Sequence, residues 1–98
     1  TAVDIFAELL GILQQQTPGI VRQMTDALES GDRTVVQRCA HSLKGSALNL
    51  GARAMADICH RMEHAAEQNE LQRIPELLTV MQRVYEQSLA ALHAMMRR

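Results

Sequence analysis

With 98 residues and 47% hydrophobic content, the chain can fill one modest core and too little is left for a second. An aromatic content of 2% and a formal net charge of −1 remove the stacking platform and the overall basicity on which nucleic-acid binding depends. No apolar run reaches membrane-spanning length, no leader pattern opens the chain, and Cys39 and Cys59 lie too far apart for CxxC chemistry. These features predict a single domain over 1–98, all-α on the strength of its Leu, Ala, Met and Gln content, with free thiols in a reducing compartment.

Five helical segments are expected in order. Ile5, Phe6, Leu9, Ile12 and Leu13 recur at helical spacing over about 2–15, with Gly11 as a weak point. Thr17 and Pro18 form a start signal, a capping hydroxyl followed by a proline at the first helical position, so a second helix is expected from there to a left-handed stop at Gly31. Asp32 caps a third helix that runs to about Leu50 and ends at Gly51. Met55, Cys59, Met62 and Ala66 form the seam of a fourth, over about 53–68. After a turn or short distorted helix, the last helix runs from about Pro75 to Arg97, its buried stripe built from Ile74, Leu78, Met81, Tyr85, Leu92 and Met95. Short connections make successive helices antiparallel neighbours. The expected fold is an up-and-down four-helix bundle with an additional short N-terminal helix.

The third helix carries the unusual chemistry, in the stretch AHSLKGSALNLGA from Ala40 to Ala52. At about 100° per residue, Val36, Ala40, Leu43, Ala47 and Leu50 fall on one side and form a buried stripe. Lys44, Gly45, Leu48 and Ala52 fall within about 60° of His41 on the other. An imidazole on that face stands in solvent. Neutral imidazole is a competent nucleophile because its ordinary pKa is about 6.5, and histidine can carry a covalent intermediate. Lys44, the chain's only lysine, is three residues on and can set an ammonium beside a group attached to His41. Gly45 costs about 1 kcal/mol of helix stability relative to Ala, and what it provides is clearance beside the imidazole. From Arg33 to Ala56 there are four basic residues and no acidic one, so the face sits in a locally positive region.

HSLKGSALNLGA resembles the signature of histidine-containing phosphotransfer domains, the family that relays phosphoryl groups in multistep two-component pathways. Phe6, Ala27-Leu28, Gly31-Asp32, Ala40, Cys59 and Glu63 also resemble the family pattern. The resemblance implies that His41 is phosphorylated through Nε2 by the aspartyl phosphate of a receiver domain and later passes the group to another receiver. It implies that Lys44 offsets phosphoryl charge, that Gly45 permits close docking, and that Glu63, where some members carry Gln, accepts Nδ1–H and fixes the tautomer. Arg38, Leu48, Ala52 and Arg53 are the implied docking residues. The chain would be a cytoplasmic, monomeric phosphocarrier without its own nucleotide site or cofactor, with Mg²⁺ belonging to the partner receiver. Its sequence is equally consistent with a module of a hybrid sensor kinase and with a free-standing shuttle.

Two other readings compete with it. His60 to His64, HRMEH, matches the H-x-x-E-H spacing in which two histidines grip Zn²⁺ and the glutamate serves as base, but a third ligand and a cleft are missing from the pattern. A non-catalytic helical adaptor, with the His41 face accidental, is the other.

Overall fold

A computed structural model describes residues 1–97; Arg98, inside the expected domain, lies outside the described residues. Four helices follow one another: α1 (Ala2–Ser30), α2 (Arg33–Asn49), α3 (Arg53–Glu67) and α4 (Ile74–Met96), with a short 3₁₀ turn, Leu71–Arg73, before the last. Short connections make them antiparallel in sequence order, and among the described residues there is no strand. The up-and-down bundle is as expected.

The first two expected helices are one. α1 runs through Thr17 and Pro18 without interruption. Leu10, Leu13, Thr17, Met24 and Ala27 are its buried positions, with Ile20 partly buried between them, and this unbroken three- and four-residue spacing carries the same inner face past the proline. Pro18 lies on the exposed side. Thr17 does not cap; its hydroxyl donates to the Leu13 carbonyl at 2.6 Å, one turn back and buried. The additional N-terminal helix is thus an extension of α1, and α1 at about 1.5 Å per residue accounts for the 44 Å long axis of the molecule.

The stop and start signals at the site end of the sequence are as read. Gly31 and Gly51 adopt φ of 72°, where a Cβ would be strained, and the Asp32 carboxylate accepts from the Val35 amide at 3.2 Å. The core is built from methionine and small residues: Met24, Met55, Met62 and Met81 are fully buried beside Leu43, Val36, Cys59 and Ile74. Burial pushes the Cys59 thiol up to about 12, so it stays protonated as a filler; Cys39 is likewise free and buried.

Toward the start of α1 and the end of α4 the packing loosens. Full burial begins at Leu10 on α1 and ends at Met81 on α4. Beyond those points Val3 and Ile5 are exposed, and so is Met95, which was expected in the buried stripe; Ile12, between Leu10 and Leu13, is exposed because it lies on the outer side of α1. The reason is coverage: α2 and α3 turn at Leu50 to Ala52, and beyond that turn α1 and α4 have mainly each other.

Candidate functional site

The site forms where the outer face of α2 meets α3. The buried seam of α2, Val36, Ala40, Leu43 and Ala47 with no exposed surface, sets the helix's rotation and turns His41 outward. On α3, Met55, Cys59, Met62 and Ala66 do the same and leave Glu63 at the edge of the core, its side chain 11% exposed. The His41 side chain is 69% exposed, yet one ring nitrogen is held: Nδ1 lies 2.6 Å from Glu63 Oε2. The other carboxylate oxygen, Oε1, accepts from Lys44 Nζ at 2.5 Å.

The charge state of Glu63 decides the tautomer. Burial pushes its carboxyl up, but hydrogen bonds from Lys44 and His41, together with their charges, outweigh that and hold it below the ordinary glutamate range. At neutral pH it is a carboxylate and can only accept, so the Nδ1 it faces carries the proton. The lone pair is then on Nε2, on the open side of the ring. Among the described residues no buried side-chain polar atom lacks a partner, so the contact is complete as it stands.

Clearance surrounds the ring. A Cβ built on Gly45 would meet nothing within 4 Å, so the glycine is not there for helix packing. On one side of His41 an open groove is lined by Thr34, Gln37, Arg38 and Glu63. On the Lys44 side another is lined by Lys44, Leu48, Gly51, Arg53, Ala56, Asp57 and His60, with Leu48 57% exposed.

The structure thus brings His41, Lys44 and Glu63 together, with Gly45, Arg38, Leu48 and Arg53 around them. Ala52 is not part of that surface. It is 8% exposed and joins the core, because α2 ends at Asn49 and the helical phase that put Ala52 beside His41 stops there. Lys44 lies across Glu63, 22% exposed, and does not extend freely into solvent. Thr34 and Gln37 were missed, although the same helical phase carried back one and two turns from His41 would have found them. Among the described residues no group of three His, Cys, Asp or Glu side chains is placed to hold a metal ion. In HRMEH, Glu63 spends both oxygens on His41 and Lys44, which leaves it no freedom to act as a zinc-site base.

Comparisons with known proteins identify the family. Residues 8–96 match the family model of the Hpt domain. The crystal structure of histidine-containing phosphotransfer protein B from Pseudomonas aeruginosa PAO1 has the same fold, with a TM-score of 0.83 and 31% sequence identity over 92% of this chain and 78% of that one. No curated protein sequence gives a significant match. A helical bundle of this topology, a histidine presented on its outer face and a family match across nearly all of its length lead to one conclusion: the chain belongs to the Hpt domain family of phosphorelay carriers.

Proposed function

We propose that His41 is the residue that carries the phosphoryl group in this Hpt domain, taken by Nε2 from the aspartyl phosphate of a receiver domain and surrendered to the aspartate of another. The observation that supports it most is the 2.6 Å contact between Nδ1 and Glu63 on an otherwise exposed ring. A carboxylate on Nδ1 places the lone pair on Nε2, the nitrogen a partner can reach. No comparable contact holds His60 or His64, whose ring nitrogens are 4.0 Å from the nearest carboxylate oxygen.

Each neighbour then has a task. Lys44 offers positive charge to the equatorial oxygens of the transferring group. Gly45 lets the receiver's phosphorylated aspartate approach, and Arg38, Leu48 and Arg53 supply charge and apolar surface for docking. Receiver domains are the partners this surface suits; its charge is local and it has no aromatic platform for nucleic acid. Magnesium, in this reading, belongs to the receiver, and so does most of the catalysis. The domain acts as a cytoplasmic monomer, whether free-standing or as one module of a hybrid sensor kinase. No helix among the described residues is long and apolar enough to cross a membrane.

The test is incubation with a panel of phosphorylated receivers and Mg²⁺, followed by intact-mass analysis at neutral pH and after mild acid. One acid-labile phosphoryl adduct, lost in His41→Gln with helicity unchanged, is the expected result. No adduct with any receiver, alongside a working control carrier, would favour the adaptor reading.

A further inference from the structure

His41 holds a proton on Nδ1 before transfer, and the reaction does not remove it. When Nε2 attacks the phosphorus of an aspartyl phosphate, the Nε2–P bond forms and the P–O bond to the aspartate breaks. The electron pair of that bond leaves with the aspartate as a carboxylate. Atoms and charge balance with no proton transferred, and the ring ends as a cationic phosphoimidazolium. Two charges have appeared in a small space, a positive ring and an anionic phosphoryl group on its outer nitrogen. The resting site already contains one charge of each sign, Lys44 and Glu63, bound to each other at 2.5 Å.

Building on His41 as the phosphorylated residue, we propose that Glu63 is a positioning residue that keeps the Nδ1 proton on the phosphorylated ring, while Lys44 exchanges Glu63 for the phosphoryl oxygens. Glu63 Oε2 meets the ring at Nδ1, on the side away from Nε2, so the carboxylate sees the new positive charge at hydrogen-bond distance and the phosphoryl group only across the ring. Lys44 is one turn along the same helix from His41, on a flexible four-carbon stem that keeps 22% of its surface exposed, and its ammonium can rotate outward. Every charge then has an opposite partner both before and after transfer. A glutamine at this position would accept the same hydrogen bond but could not offset the ring's charge.

The consequence concerns the leaving group. The P–N bond breaks readily when the ring departs as neutral imidazole, and poorly when Nδ1 has lost its proton and the ring must depart as imidazolate. Holding that proton keeps the phosphoryl group transferable into the alkaline range. The charged groups facing the ring are Arg38 and Lys44 from α2 and Glu63 from α3; His60 of α3 is a further titratable group, its Nδ1 4.0 Å from Glu63 Oε1. From α1 the groove beside Ser42 presents Gln15, Gln16, Gly19, Ile20 and Gln23, none of which titrates.

The test is to purify the phosphorylated chain and its Glu63→Gln variant and to time transfer of the group to one receiver from pH 6 to pH 9. The receiver's own pH dependence is common to both and cancels in the ratio of rates. We expect the ratio of wild type to Glu63→Gln to rise about tenfold across this range, the change that one unit of displacement in the Nδ1 titration produces. A ratio constant with pH would overturn the proposal. If Glu63→Gln loses helicity, a ¹⁵N NMR titration of the phosphorylated wild type decides instead: an Nδ1 titration displaced upward from that of free Nε2-phosphohistidine is expected, and one that coincides with it overturns the proposal. Failure of the wild type to take a phosphoryl group would bring down the phosphocarrier reading and this proposal with it, whereas a phosphorylated His41 with coincident pH profiles sinks the positioning role alone.

Discussion

On one face of α2, Val36, Ala40, Leu43 and Ala47 have no exposed surface; on the opposite face His41 and Leu48 stand largely in solvent and Gly45 has open space where a side chain would be. The two faces share one helix and serve different ends. The inner one fixes where α2 lies and how it is rotated, through apolar burial worth about 1.5–3 kcal/mol for a large side chain. The outer one, in the proposed function, presents the chemistry. The division is cleanest at neighbouring positions: Leu43 and Lys44 are adjacent in sequence, yet one is sealed in the core and the other reaches an ion pair at its edge.

Substitutions on either face measure how complete this division is. Leu43→Ala should lower stability by about 2–5 kcal/mol in denaturant unfolding, the usual cost of a truncated core leucine, while the folded fraction still accepts phosphate at the wild-type rate. A change below about 1 kcal/mol would mean that the seam is not the anchor described. Lys44→Ala lies between the faces and should disturb both. It leaves Glu63, a nearly buried carboxylate, with His41 alone, for a loss of about 1–2 kcal/mol, and rapid-mixing assays should show slower phosphoryl transfer. Unchanged transfer would make Lys44 a structural partner of Glu63 only. Gly45→Ala should give the smallest stability effect and the opposite sign: a gain of about 0.5–1 kcal/mol, since the added methyl removes a helix weakness and meets nothing within the molecule. Transfer should slow nonetheless, because in the proposed function the methyl stands where a receiver would approach.

Much of this was legible in the sequence because it is local. The seam of α2, the Asp32 cap, and the stops at Gly31 and Gly51 each depend on residues within a turn or two of one another. The motif face was legible for the same reason, since one helix carries His41, Lys44, Gly45 and Leu48. Thr17-Pro18 misled because a local start signal was outweighed by an inner stripe extending from Leu10 to Ala27, a longer-range preference that a two-residue signal does not contain. Ala52 misled because the helical phase was carried past the end of the helix. The resemblance implied Glu63 on Nδ1, but its simultaneous hold on Lys44 follows from the way α2 packs on α3, a contact between residues 19 positions apart.

In the proposed function His41 Nε2 is the reactive nitrogen because Glu63 holds the proton on Nδ1. This is tested most directly by ¹⁵N and ³¹P NMR of the chain labelled with ¹⁵N-histidine and phosphorylated by a receiver. One phosphorus-coupled nitrogen is expected, Nε2 of His41, with Nδ1 of the same ring protonated. Phosphorus on Nδ1 of His41, or on His60, His64 or His93, would contradict it.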